Sequence, residues 1–144
     1  MFKIRIARIQ DAKWIHKILN ENSEFKNQEI EEEYSMAWVN GAIKNKKGNV
    51  VLIMENDKEV IGLLVIHIIL GTRDVIFNNL YIKPEFRRNN FGTKLLREGE
   101  KIAKKIGCKY FFGAVKLRNI KPQRLLSKLG YKRGNTFISY WRKV

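Results

Sequence analysis

Little in this 144-residue chain is available for covalent or metal cross-linking. It has one cysteine, Cys108, so no disulfide can close within it and no cysteine-rich zinc site can be assembled. Its two histidines, His16 and His67, are too few and too far apart to read as a zinc site, and no metal is expected. Long apolar runs are missing as well. The most apolar stretch, Val60–Leu70 (VIGLLVIHIIL), is too short to span a bilayer and has charge on both flanks. It reads as a buried strand, and no membrane partner is expected. The opening MFKIRIARIQDAKW carries charges throughout and lacks an apolar signal core, which points to the cytoplasm.

Acidic residues are scarce where they would matter most. Residues 1–79 hold 11 Lys/Arg and 11 Asp/Glu, whereas residues 80–144 hold 18 and 3, so the whole net charge of +15 lies in the second part. Such asymmetry points to a polyanionic partner: a phosphorylated cofactor, nucleic acid, or both. The competing reading is a solvated basic surface.

What is present fits one domain over 1–144, long enough to bury a core. Phe2–Ala7 alternates like a strand, and Trp14, Ile15, Ile18 and Leu19 recur at helical spacing after Asp11. A second helix is expected over Glu29–Lys44, with Glu31–Glu33 on its charged face, ending at Lys47-Gly48-Asn49. Val50–Met54, Val60–Ile69 and Val75–Ile82 read as strands, the first two joined by a hairpin turn. A helix follows from Gly92 to Ile106, with Leu95, Leu96, Ile102, Ala103 and Ile106 as its inward stripe and Gly107 at its end. Tyr110–Val115 is a fifth strand and Ile120–Leu129 a short helix. Tyr131–Arg133 and Thr136–Trp141 are expected as closing strands. Antiparallel strands in a row, then helix, strand and helix, make an α+β fold: a mixed, mostly antiparallel central sheet flanked by helices.

The informative stretch is LYIKPEFRRNNFGTKLL, residues 80–96. A strand stops at Pro84, and the chain turns through Arg87, Arg88, Asn89 and Asn90 into a helix at Phe91, Gly92 and Thr93. It is not a Walker A loop, because Gly92-Thr93-Lys94 has the wrong order, and a single glycine does not make a dinucleotide fingerprint. A turn into a helix N-terminus still offers unpaired N–H groups and a positive dipole end, which is an anion site by geometry. Asn90 tolerates a left-handed backbone, and Gly92 lets a ligand approach closely.

From strand into helix, Leu80, Ile82, Pro84, Arg87, Asn90, Gly92 and Leu95 resemble the central motif of the Gcn5-related N-acetyltransferase (GNAT) family, with Asn90 in place of its first glycine. The element order is similar over almost the full chain. IRIARIQDAKWIHKIL resembles the family's first strand and helix, and Ser127-Lys128-Leu129-Gly130-Tyr131 its late signature. The resemblance implies the acyl-CoA N-acyltransferase fold and acetyl-coenzyme A as cosubstrate. Arg87–Thr93 would wrap the pyrophosphate, with Arg87 and Arg88 adding charge. The backbone of Leu80, Tyr81 and Ile82 would pair with the pantetheine arm, and Asn119 would contact the same arm. The implied reaction is acetyl transfer to a primary amine of a protein, a small molecule or an aminoacyl-tRNA, and a homodimer is compatible with the family.

The acid–base groups are the gap. The tyrosine that serves the leaving thiolate in many members is replaced by Leu126, and the fifth strand carries no carboxylate. Asn78 and Asn79 on the fourth strand cannot act as bases. Tyr140 and Ser127 are the candidates for catalysis, with Tyr81 and His67 behind them. His67, alone on an apolar strand, is expected to be a core residue, Tyr140 a packed aromatic and Cys108 a passive one. Two other functions remain open: a nucleic-acid-binding or nucleic-acid-modifying protein on this fold, and a coenzyme A-binding module without catalysis. The basic second half also suits an RNA-linked acceptor. The acidic run Glu29–Glu33 is the one feature that suits a cationic acceptor.

Overall fold

The described residues of the computed structural model, 1–22, 25, 32–69 and 71–144, form two compact units, Met1–Gly113 and Ala114–Val144. The first holds β1 (Lys3–Ile6), α1 (Ala12–Glu21), α2 (Met36–Lys44), β2 (Asn49–Glu55), β3 (Val60–Ile69), β4 (Asp74–Ile82), α3 (Phe91–Lys105) and β5 (Phe111–Gly113). The second holds α4 (Ile120–Lys128). The strands lie in sequence order, antiparallel from β1 to β4, with β5 parallel to β4. This is the mixed, mostly antiparallel sheet that the sequence predicts.

The strand period of two gives the sheet two distinct faces. Val51, Ile53, Leu63 and Val65 pack on one side with Ile15 and Leu19 of α1 and Val39 and Ile43 of α2. On the other side α3 buries Leu95, Leu96 and Ala103. It lies so close that a Cβ on Gly99 would come within 3.1 Å of both Leu64 and Phe111. Gly62 on β3 is tighter still: a Cβ there would meet the Tyr81 backbone oxygen at 2.8 Å. A backbone atom in a ladder cannot move aside as a side-chain tip can. Gly62→Ala is therefore expected to cost about 2 kcal/mol, read as a melting temperature about 6 °C lower.

At one end of β1 a charged cluster substitutes for apolar packing. The Arg5 guanidinium holds Asp11 through two bonds, Nη1–Oδ2 at 2.7 Å and Nη2–Oδ1 at 3.0 Å, and Glu55 through Nη2 at 2.9 Å. The Arg8 N–H also donates to Asp11, closing the turn that leads into α1.

Two expectations change. The helix expected from Glu29 starts at Met36, where the Ser35 hydroxyl accepts from the Trp38 N–H and sets the N-terminus. Glu32 and Glu33 precede it, exposed and not helical, while Glu29, Ile30 and Glu31 lie outside the described residues, as does Leu70. Good helix formers without a cap do not start a helix. The closing strands are also not seen. Residues 131–144 carry no helix or strand, and Phe137, Ile138 and Tyr140 are 87%, 79% and 90% exposed. Alternating aromatic and β-branched residues report strand propensity, but a strand also needs a neighbour to pair with.

Candidate functional site

The turn after β4 is held by contacts on both of its flanks. Pro84 opens a short 3₁₀ turn, Pro84–Phe86, and the Asn89 amide donates back to the carbonyls of Phe86 and Arg87. Phe2 from the start of the chain packs against Phe86 and Phe91, with ring centroids 6.2 and 4.5 Å apart. Phe91 is buried at the first position of α3, and its neighbour Asn90 is the cap, with φ of 61°. Arg88 is left-handed too, with φ of 68°. Left-handed residues in a tight turn are the backbone setting in which successive amides can bind an anion.

The amides are available. The first helical bond runs from Lys94 N–H to the Asn90 carbonyl, and the N–H groups of Arg88, Asn89, Asn90, Phe91, Gly92 and Thr93 donate to no described protein acceptor. They lie at the positive end of a 15-residue helix. A Cβ on Gly92 would touch only Leu80 Cδ2, at 3.6 Å, so the approach to the backbone is open. A pyrophosphate fits this cradle: many donors, a dipole of the right sign, cationic flanks and no carboxylate from Phe86 to Arg97. Arg87 has a second duty, because its Nε donates to the Ile82 carbonyl at 2.9 Å and its guanidinium lies 5.8 Å from the Tyr81 ring.

Beside this turn, among the described residues, no strand pairs with the outer edge of β4 from Asn78 to Ile82. β5 pairs with β4 only from Val75 to Phe77, ending at Gly113, whereas β4 runs on to Ile82. Lys83 N–H donates to the Ile61 carbonyl, so the alternation of an antiparallel ladder turns the Tyr81 backbone toward β3 and the Leu80 and Ile82 backbones toward the bare side. Tyr81 presents its ring instead, edge-on to Trp14 at 6.3 Å and to Phe25 at 6.4 Å. Burial pushes its phenol up from the ordinary value.

A bulge sits where the two strands part. Val65 pairs with Asn79 and Ile66 with Phe77, leaving Asn78 as the extra residue. It reverses the alternation, so Asn79 and Tyr81 face α1 and α2, whereas Phe77 faces α3. On the α3 side the junction is filled: Phe77 packs on Phe111 at 4.9 Å, and a Cβ on Gly113 would fall 2.0 Å from the Phe77 ring. Phe112, in register beside Ile76 on the α1/α2 face, is 51% exposed, and Asn78 at the bulge is exposed, so the junction is less filled on the α1/α2 face than on the α3 face. Asn79 is buried there, its amide 3.5 Å from the Tyr34 hydroxyl, which itself donates to the Phe25 carbonyl at 2.6 Å.

His67 differs from its expectation. It is half-buried rather than sealed in the core, with Nδ1 2.5 Å from Asn49 Oδ1 and its ring 6.2 Å from that of Trp38. Burial holds its pKa below the ordinary value of 6.5. The pairing spans 18 residues, and no local pattern in the sequence signals it.

The remaining candidates belong to the second unit. Asn119 is half-buried at the N-terminus of α4 and donates its N–H to the Lys116 carbonyl at 2.9 Å. Ser127 is exposed, and its carbonyl accepts from the Gly130 N–H. Leu126 accepts from the Tyr131 N–H in the turn that ends α4. Tyr140 is exposed rather than packed. Residues 114–144 contain no Asp, Glu or His. Among the described residues no group of three or more His, Cys, Asp or Glu could hold a metal ion, and no helix is long and apolar enough to cross a membrane.

The sequence model of the acetyltransferase (GNAT) family matches residues 13–131. No curated protein matches the chain. An aminoglycoside N-acetyltransferase, AAC(6')-Iy, crystallised with CoA, superposes with a TM-score of 0.82 at 14% identity, over 100% of this chain and 96% of its own. A PaiA N-acetyltransferase from Thermoplasma acidophilum, in complex with coenzyme A, gives 0.72 at 24% identity over 95% and 93%. A transcriptional regulator from Bacillus halodurans C-125 gives 0.82 at 18% identity over 99% and 100%. At these identities the likeness is one of fold.

Proposed function

Because the chain belongs to the acetyltransferase (GNAT) family, we propose that it is an acetyl-coenzyme A-dependent N-acetyltransferase, a single domain over residues 1–144, moving an acetyl group to a primary amine. The observation that carries this reading is the run of undonated N–H groups from Arg88 to Thr93 at the start of α3, next to the bare edge of β4. These amides would hold the pyrophosphate, with charge from Arg88 and from the guanidinium end of Arg87. The Leu80 and Ile82 backbone groups would pair with the amides of the pantetheine arm as an added strand does. Tyr81 would contribute a wall. Bound in this way, acetyl-coenzyme A would supply the activated thioester. The chain supplies position, which accounts for a large share of the barrier in a transfer between two bound groups.

The amine is expected from the α1/α2 side, since the α3 side is filled. Trp14, Phe25, Tyr34, Trp38 and Tyr81 make that side aromatic. Two of the structural neighbours are aminoglycoside acetyltransferases, one with a bisubstrate analogue of acetylneamine and one with sisomicin. The acidic run Glu29–Glu33 is the feature of the sequence that suits such a polycation, and its Glu32 and Glu33, which are among the described residues, are exposed.

A second reading, an acceptor carried on RNA, is favoured by one observation. At the other end of the sheet a cavity of about 420 Å³ is lined by Lys46, Lys47, Ile68, Arg73, Ile106 and Cys108. None of its three cations forms an ion pair among the described residues, and none of its walls is acidic. This pole is far from the proposed pyrophosphate turn, so the charge there is not accounted for by coenzyme A.

The experiment is thiol release from acetyl-coenzyme A in the presence of sisomicin, spermidine, an N-terminal peptide and aminoacyl-tRNA, at 50 and 200 mM salt (about the range over which phosphate contacts weaken steeply). Transfer to a small amine that is indifferent to salt supports the first reading. Transfer to aminoacyl-tRNA that collapses at the higher salt supports the second. Release with none of them above the rate in water contradicts the enzyme.

A further inference from the structure

An aliphatic amine is largely a cation at neutral pH and must lose a proton before it can attack. At the β4–β5 junction Asn78 and Asn79 cannot act as bases, β5 carries no carboxylate, and residues 114–144 contain no Asp, Glu or His. The first unit offers an imidazole on the α1/α2 face of the sheet, that of His67 on β3.

We propose that His67 takes that proton on Nε2, through one bridging water, and that Asn49 positions it by fixing its tautomer. The inference rests on the acetyltransferase reading above, and its argument is geometric. The strand register sets Asn49, His67, Ile76 and Phe112 side by side across β2, β3, β4 and β5. This row is next to the bulge at Asn78, on the α1/α2 face. Asn49 Oδ1 can only accept, so the ring proton lies on Nδ1 and Nε2 keeps its lone pair. The two ring nitrogens point roughly away from each other. Holding Nδ1 toward β2 thus turns Nε2 away from β2, to the side of β4 and β5. β4 and β5 are still paired at Ile76 and Phe112 and part beyond Phe77 and Gly113, so the gap lies one to one and a half strand spacings across from β3 and one to two residues along it, about 6–10 Å from His67. An imidazole and one water cover that distance.

The charged surroundings leave the ring free to act as a base. Trp38 faces it from α2 and Asn49 from β2, and Asp74 of β4 lies on the same face two residues beyond Ile76. Burial alone accounts for the downward shift of His67, with no contribution from Asp74 or any other charge. The shift favours the neutral ring, the form that can accept a proton.

The proton count closes. One proton of the ammonium passes through the water to Nε2. The neutral nitrogen forms a C–N bond to the acetyl carbonyl carbon, and the C–S bond breaks with its electron pair leaving on sulfur. The second amine proton is released to solvent, and the imidazolium returns its proton to the thiolate.

The test has two independent readouts. Nitrogen-15 NMR of the imidazoles in the intact chain, assigned with His67→Gln and with only His16 as a second histidine, reads tautomer and titration without substrate. A ring protonated on Nδ1 with a pKa below that of a free histidine is expected; one protonated on Nε2 overturns the proposal. The second readout is the pH profile of kcat/KM for thiol release from acetyl-coenzyme A with the best amine of the panel. His67→Gln is expected to lower kcat about a hundredfold and to remove the acid limb. Coenzyme A affinity should be unchanged. In Asn49→Asp a carboxylate faces Nδ1, so the acid limb should move to higher pH. A limb that stays in place in Asn49→Asp, or survives in His67→Gln, overturns the proposal. Absence of coenzyme A binding would instead remove the reading on which it rests, with the NMR result still standing on its own.

Discussion

Replacing Gly92 with aspartate is expected to weaken coenzyme A binding about a thousandfold while leaving the fold as stable as before. The two effects have opposite signs because they act on the same charge. A carboxylate in the first turn of α3 meets the positive end of the helix, which contributes about 0.3–1 kcal/mol to stability. The position tolerates a side chain, since a Cβ there meets only Leu80 Cδ2 at ordinary contact distance, 3.6 Å. The pyrophosphate would need the same space and the same dipole. A negative charge about 4 Å from another near a protein surface costs about 4 kcal/mol, or roughly three orders of magnitude in affinity. Melting temperature and calorimetric titration on one preparation separate the two. A variant that binds as well as the parent would mean that the phosphates lie elsewhere.

The second large effect concerns the fold and has a pH signature. Arg5→Met is expected to destabilise the protein by about 3 kcal/mol at pH 7, because it leaves Asp11 and Glu55 close together without their cation. Burial alone would push the Asp11 carboxyl up, but bonds from Arg5 and from the Arg8 N–H outweigh it and hold it below the usual range. Glu55 is held down chiefly by its bond to Arg5. Both carboxyls thus contribute stability that is complete above their ordinary pKa of about 4 and is lost as pH falls through the depressed values. In Arg5→Met, Asp11 keeps its burial and loses its main counterweight, so the loss should begin at higher pH. The difference between the two proteins should then narrow in acid, where both carboxyls are neutral. Urea denaturation at pH 7, 5 and 3 reads this directly. A constant difference across that range would place the effect in packing rather than charge.

Legibility followed the range of the interactions. The turn at Pro84–Gly92 was readable because each residue constrains its own backbone: proline stops the strand, Asn90 takes the left-handed position, and Leu95 and Leu96 follow at helical spacing. The bounds of β3 and Leu95, Leu96 and Ala103 of the α3 stripe were readable on the same grounds, whereas Ile106, expected to face inward, lies just past the helix and is exposed. What escaped depends on partners distant in sequence. The bulge at Asn78 exists only in relation to Val65 and Ile66 of β3. The clamp of Phe2 on Phe86 and Phe91 joins the start of the chain to a turn that local rules treat alone. The start of α2 was set by Ser35 against a run of glutamates with better helix propensity. The proposed pairing of proton acceptor and positioning residue, His67 with Asn49, is a cross-strand contact of the same kind.

The most direct measurement of the central claim is a backbone amide NMR titration of the chain with coenzyme A. The account predicts that the amides of Arg88 through Thr93 shift together and saturate at micromolar ligand, followed by Leu80 and Ile82. Shifts confined to Lys46, Lys47 and Arg73, or none at all, would contradict it.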